Sequence, residues 1–318
     1  MSVDLFDFDT AVTAPFRMQP GLRRLADGSP QLTPLTPGSR HQREKLAVLS
    51  AYWSQALQQQ AGFDAQPALD ALCRHAATEQ PDAWAWDGTR ALARKLGAAA
   101  TAAGRVEQVQ AGVFGLGDEV TRCLNGLPPA WRLAGLLSLA FAEDFAVIKG
   151  SDGTIPWLAV ALPSHWAPED KVGRHFAQVH APVADNALLV KASESLTRLV
   201  CGPERWERFV WNVTDQPRLH AHPAQVGPER WQQTRVEQAW FRSERQTFIP
   251  VPGRSEAVFT ILVQVEPLAD VLATPARAQC LHDAIASMSL NVLAYRGLQR
   301  VRQPLLQWLA LRTQATAA

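Results

Sequence analysis

The spacing of hydrophobic positions along this chain changes twice. In RHQREKLAVLSAYWSQALQQQ (40–60), Leu46, Leu49, Trp53 and Leu57 recur every three or four residues, as on the buried face of an amphipathic helix. From 143 to 268, short apolar runs rich in β-branched and aromatic residues replace that stripe, and such runs predict strands. FAVI (145–148) and WLAVAL (157–162) flank GSDG, a turn composition that joins adjacent antiparallel strands. RFVWNV (208–213), RQTFIPV (245–251) and AVFTILVQV (257–265) continue the series, with VPGRSE closing a hairpin between the last two. In the final run Ala257, Phe259, Ile261, Val263 and Val265 share one face. Helical spacing returns from about 274 to 312, most clearly in LHDAIASMSLNVLAYRGL.

Two strands, a helical crossing over about 168–200 and three more strands predict an α+β fold. It is a small antiparallel sheet whose capping helices leave room for a pocket, flanked by N-terminal and C-terminal helical segments. The expected divisions are an extended arm (1–40), a mainly helical region (41–142), the sheet core (143–268) and a C-terminal helical segment packing on it (269–318). The arm is assigned from the five prolines within 14–40, which favour an extended path lying over something. The Ala- and Gly-rich stretch 96–117 reads as a loop, a loose helix or a short hairpin. Its GLGDEV segment has Val120 where a dinucleotide fingerprint needs a third glycine. The most apolar run, LAGLLSLAFA (133–142), lies between Arg132 and Glu143-Asp144 and is shorter than the ~18 residues of a membrane span, so a buried helix is expected.

Composition narrows the partners. Among 318 residues, 31 Lys and Arg balance 30 Asp and Glu, for a net charge of +1. That balance leaves no polyanion-binding footprint, so a small molecule or a protein is expected rather than nucleic acid. Cys73, Cys123, Cys201 and Cys280 form no CxxC pair, which argues against a zinc ribbon and against covalent haem attachment. An acidic N-terminus in place of a basic export leader completes the expectation of a reduced, cytoplasmic protein with no membrane association. The 11 tryptophans are scattered, and such rings either fill cores or wall flat ligands.

KVGRHFAQVHAPV (171–183) holds the most informative histidines. Pro168 suits a first helical position and Glu169-Asp170 suit a helix N-terminus. Ala181 before Pro182 is pushed out of helical geometry, so the helix is expected to stop near His180. Val172, Phe176 and Val179 then share a stripe, while His175 and His180 lie about 140° apart and cannot chelate one metal from one face. His180 is left with two readings. It is a helix-end imidazole favoured by the dipole, or its ring projects beside Phe176 into a pocket and offers one nitrogen to a planar iron cofactor.

Five blocks together resemble the haem-dependent oxidative N-demethylase family, which is known for oxidising dimethylamine. They are PFRMQPGLRRL (15–25), AEDFAVI (142–148), LPSHWAPEDKVGRHFAQVHAPV (162–183), RFVWNV (208–213) and FRSERQTFIPVPGRSEAVFTILVQVEPL (241–268). The resemblance implies a PAS-like core holding non-covalent haem b, with O2 and a small methylated amine as substrates. It also implies electrons drawn ultimately from NADPH through a separate flavin or iron–sulfur reductase; this chain carries no motif for either group. A non-catalytic haem or small-ligand sensor of PAS type is the alternative. His180, in the H-x-PV element, becomes the first candidate for the iron ligand, with His175 as runner-up. Ala184 and the ERQTF ending depart from the family's usual residues.

Further candidates follow from residue chemistry. Arg242 and Arg245, three apart on a strand, point to opposite faces. One can pair with haem propionates, the alternative being an ion pair with Glu244 or Glu266; Arg245, within ERQT, is preferred. Glu143 and Asp144 are candidates to bind and position a substrate ammonium, or else form a charged junction between helix and strand. Cys201 is a thiolate candidate or a buried inert cysteine. His220 and His222 lie on one side of an extended segment and suggest a surface metal site lacking a third ligand. His165 is expected in a loop at the helix entrance.

Overall fold

The alternating runs between 143 and 268 pair as one antiparallel sheet. The computed structural model describes residues 6–180, 184, 191–227, 229–232 and 235–314, the side chain of His180 excepted. Two short strands precede the sheet core, β1 (Arg23–Arg24) and β2 (Leu57–Gln59). A separate antiparallel meander follows, with β3 (Trp84–Trp86), β4 (Arg90–Ala93), β5 (Ala98–Thr101) and β6 (Val106–Gln108). The core strands are β7 (Glu143–Lys149), β8 (Trp157–Ala159), β9 (Trp206–Thr214), β10 (Trp240–Pro250) and β11 (Glu256–Pro267). The large sheet runs β1-β9-β10-β11-β7-β8-β2. Counted along the chain, its five core strands lie in the order 2-1-5-4-3.

Period-two alternation gives the two faces of this sheet different tasks. On β10, Arg242, Glu244, Gln246 and Phe248 face a cavity, whereas the intervening Arg245 and Thr247 bond to residues beyond it, Arg245 to Glu207 and Pro30 and Thr247 to Gln31 and Thr260. The Arg132–Ala140 helix, buried from Leu133 to Ala140, and the Gln66–Glu79 helix share one apolar core with Val147, Val258 and Val263. Each fully buried Leu or Val there contributes about 1.5–3 kcal/mol. A second core joins the helices Pro275–Ala286, Leu290–Tyr295 and Arg302–Gln314 to Trp211, Val213, Phe241 and the N-terminal Phe6 and Phe8. Among the described residues no helix is long and apolar enough to cross a membrane.

Several elements differ from the sequence expectation. The stripe over 40–60 is a helix only for Arg40–Ala51; after a break at Tyr52 and one turn at Trp53–Ala56, the chain becomes β2 and pairs with β8. The 41–142 stretch, expected to be mainly helical, also carries the four-strand meander, and 96–117 contributes its hairpin β5–β6. Sheet hydrogen bonds available from β8 overrode helical spacing in the first case. Alanine strands with little periodicity concealed the second.

The helix expected from Pro168 to His180 is also interrupted. Pro168–Asp170 is a single 3-10 turn, and the α-helix covers only Phe176–His180. Gly173 adopts a left-handed φ of 73° between them. Tertiary bonds hold the break open: Gly173 N–H donates to Ile155 O at 2.8 Å, and Phe176 N–H to Gly153 O at 2.7 Å.

Candidate functional site

A cavity of about 410 Å³ lies on the face of the sheet opposite the Gln66–Glu79 helix, within the range of small-molecule and cofactor sites. Its apolar end is built from Ala146, Ile148, Leu158, Phe248, Phe259 and Ile261 on β7, β8, β10 and β11. Phe176 and Val179 of the short helix, and Leu196 and Val200 of the Ser193–Val200 helix, close over it. Met18, Pro20 and Leu22 of the proline-rich segment also line the cavity.

The other end, on β9 and β10, is strongly cationic. Arg208, Arg230, Arg242 and Arg296 line it, Lys171 lines the cavity from the end of the Pro168–Asp170 turn, and Glu244 is the only acid among the described lining residues. Arg242 is engaged throughout: Nε donates to Ser164 Oγ at 2.7 Å, and its terminal nitrogens donate to the carbonyls of Leu162, Pro163, Arg218 and Leu219. Burial lowers its pKa to about 10, with Glu244 opposing the fall, so it stays charged at neutral pH. Arg230 Nε reaches Asp215 at 3.4 Å, and its Nη1 donates to Arg296 O at 3.0 Å. Ser164 Oγ in turn donates to Glu244, whose other oxygen accepts from Gln246 at 2.6 Å.

His165 is the histidine that lines this cavity among the described residues. Its backbone is left-handed, with φ of 61°, and its N–H donates to Ala221 O at 3.0 Å. Burial, reinforced by Arg230 and Arg242, pulls the ring pKa down to about 3. The imidazole is therefore neutral at ordinary pH, with Nε2 3.5 Å from Thr214 Oγ1.

The structure brings some sequence candidates to the cavity and keeps others away. Phe176 and Arg242 line it. His180 ends the helix that carries Phe176 and Val179, and its side chain lies outside the described residues. His175 precedes that helix rather than sitting in it: Nδ1 accepts the Ala177 N–H at 3.0 Å, and its own N–H donates to Gln178 Oε1 at 3.1 Å. Its ring thus caps the helix. Arg245 is on the far face, pairing with Glu207 Oε2 at 3.0 Å and donating to Pro30 O at 2.7 Å.

Glu143 and Asp144 do not reach the cavity either. Asp144 pairs with the buried Lys45 at 3.2 Å and accepts the Leu162 N–H at 2.7 Å. Glu143 accepts the Thr33 N–H at 2.9 Å, and burial raises its pKa to about 7. The Cys201 thiol donates to Ile148 O at 3.4 Å, and burial pushes its pKa up to about 12, which disfavours a thiolate. His220 and His222 are buried and stacked, with His220 Nδ1 at 2.6 Å from Ala161 O and His222 Nε2 at 3.1 Å from Glu169. No group of three metal-ligating side chains occurs among the described residues.

Sequence reasoning passed over Arg208, Glu244 and Arg296. Strand alternation places Arg208 with Val210 and Asn212 on one face, and Glu244 with Arg242, so period two was an available signal. Arg296 follows a C-terminal helix far along the chain and gave none.

The fold is α+β, and its cavity is apolar along β7, β8 and β11 and carries guanidinium groups beside β9 and β10. Residues 125–306 match the family described as haem-dependent oxidative N-demethylase, alpha subunit-like. The chain belongs to that family, whose description makes it haem-dependent and oxidative.

Proposed function

We propose that the cavity holds haem b non-covalently and that the protein carries out oxidative N-demethylation of a small methylated amine of dimethylamine type, consuming O2 and releasing formaldehyde. Electrons come ultimately from NADPH through a separate flavin and iron–sulfur reductase; the family's alpha-subunit description supports a partner of this kind. The carrying observation is the division of the cavity, with aliphatic and aromatic walls on β7, β8 and β11 and guanidinium groups on β9 and β10. A porphyrin has the same division between its ring and its two carboxylates. The 2-1-5-4-3 strand order agrees with a PAS-like core.

Haem, when bound, supplies the oxygen chemistry that side chains lack. The chain binds, orients and excludes water. His180 is the residue proposed to hold the iron, supported by Phe176 and Val179 of its own helix lining the cavity. His165 is the runner-up, because its neutral ring already lies there. The amine-binding role considered for Glu143 and Asp144 passes to Glu244, the acid lining the cavity among the described residues, whose carboxylate suits a substrate ammonium.

The test is the absorption spectrum of protein expressed with haem supplied. A Soret band is expected in the wild type, lost or shifted in His180→Ala and retained in His175→Ala. A change in His165→Ala alone would transfer the ligand role to His165, and no haem uptake by the wild type would sink the reading. Formaldehyde release from dimethylamine with a surrogate reductase then separates an enzyme from a sensor, and Glu244→Gln is expected to raise KM more than it lowers kcat.

A further inference from the structure

Two arginines of the cavity differ from the others in having hydrogen-bonding capacity left over. Arg242 and Arg230 have protein acceptors at nearly every turn. Arg208 and Arg296 each keep a buried Nε with no hydrogen-bond partner among the described residues. Leaving a charged donor buried and unmet is costly, and among the described residues nothing meets either one.

The two are held in different ways. Arg296 is fixed in place: its guanidinium lies 4.5 Å from the Phe16 ring centre and 4.8 Å from that of Trp211, and Nη1 donates to Trp211 O. Arg208 projects from β9 into the cavity opposite Gln246. Glu244 attracts it from a distance, without a direct ion pair among the described residues. Tyr295, which precedes Arg296 in the chain, lines the cavity together with both arginines.

We infer that Arg208 and Arg296 form a two-point carboxylate clamp, Arg296 rigid and Arg208 adjustable, which takes the two propionates of haem. The inference rests on the haem reading and assigns the anchoring role to residues other than Arg245 and Arg242. A planar guanidinium matches a carboxylate through paired N–H donors, and burial strengthens each contact. Arg245 is already neutralised by Glu207 on the other face, and Arg242 is saturated by carbonyls.

Equilibrium titration of apo-protein, followed at the Soret band, tests the clamp with two ligands, haem and haem dimethyl ester. The wild type is expected to bind haem at least roughly tenfold more tightly than the ester, in keeping with the loss of charge-assisted hydrogen bonds. Arg208→Gln and Arg296→Gln are each expected to weaken haem binding by about tenfold or more, and the double variant to bind both ligands alike. The ester comparison needs no substitution, so misfolding of a variant cannot mimic the result. A wild type that takes up haem and ester equally, or a double variant that still discriminates as the wild type does, overturns the clamp and leaves the haem reading standing. A wild type with no Soret band under any condition overturns the haem reading and the clamp with it.

Discussion

Lys45 Nζ lies 3.2 Å from Asp144 Oδ1, with both side chains closed off from solvent. Lys45 also donates to Phe141 O at 3.0 Å and to Glu143 O at 2.6 Å. One ammonium thus ties the Arg40–Ala51 helix to the start of β7. Asp144 is a sequence candidate for binding a substrate ammonium, yet the ammonium it meets is that of a lysine of the fold.

Removing either member of this pair leaves an uncompensated charge in the core. Lys45→Met and Asp144→Asn are each expected to lower unfolding free energy by about 3–5 kcal/mol, measured by urea denaturation. The double change Lys45→Met with Asp144→Leu is expected to recover much of the loss. A destabilisation below about 1 kcal/mol in both single variants, the level of a surface pair, would contradict a buried ion pair.

Glu143 sets a pH dependence of stability. Burial raises its folded pKa from 4.5 to about 7, so the folded protein holds a proton that the unfolded chain has released. The associated stabilisation is complete below about pH 4.5 and is lost as pH rises through about 7. Stability relative to Glu143→Gln is expected to fall by roughly 3 kcal/mol across that window and to be level above it. Parallel pH curves for the two proteins would show that Glu143 does not titrate there.

Arg245 fastens the arm rather than the cavity. Together with Arg23, which reaches the other Glu207 oxygen at 2.9 Å, it holds the 23–30 segment against β9 and β10. Arg245→Ala is expected to cost about 3–5 kcal/mol and to expose that segment to limited proteolysis. Haem affinity is expected to fall less than in Arg208→Gln; an equal or greater loss would return Arg245 to the site.

Gly173 holds open the break between the Pro168–Asp170 turn and the Phe176–His180 helix. Its φ of 73° is expensive for a residue with a Cβ, by about 1–2 kcal/mol. Gly173→Ala is therefore expected to lower stability by about that much. Phe176 is expected to shift in the cavity wall, which the near-ultraviolet circular dichroism or the Soret position will report. Unchanged stability would mean that the left-handed turn is not retained.

Local pattern carried most of the sheet. Alternation over β7 to β11 and the two turns GSDG and VPGRSE were legible because each depends on residues close in sequence. The family blocks singled out the segments that later meet at the cavity, including LPSHW with Ser164 and His165. The stripe at 40–60 and the span 168–180 misled, because both contain helical spacing that tertiary bonds interrupt. At Leu57 the free edge of β8 takes the chain into the sheet, and around Gly173 backbone bonds to Ile155 and Gly153 interrupt the helix.

By itself, the sequence determined the α+β class, the strand series and the opposite facing of Arg242 and Arg245, because these follow from period two and spacing. The tertiary structure alone decided which charged groups are satisfied. Arg245 meets Glu207, Asp144 meets Lys45 and Arg242 meets four carbonyls, through partners 23 to 99 residues away in sequence. Arg208 and Arg296, 88 residues apart in the chain, keep a buried donor free at the cationic end of the cavity. Satisfaction of a buried charge is a property of what surrounds it in space, and a residue's neighbours in the chain do not report it.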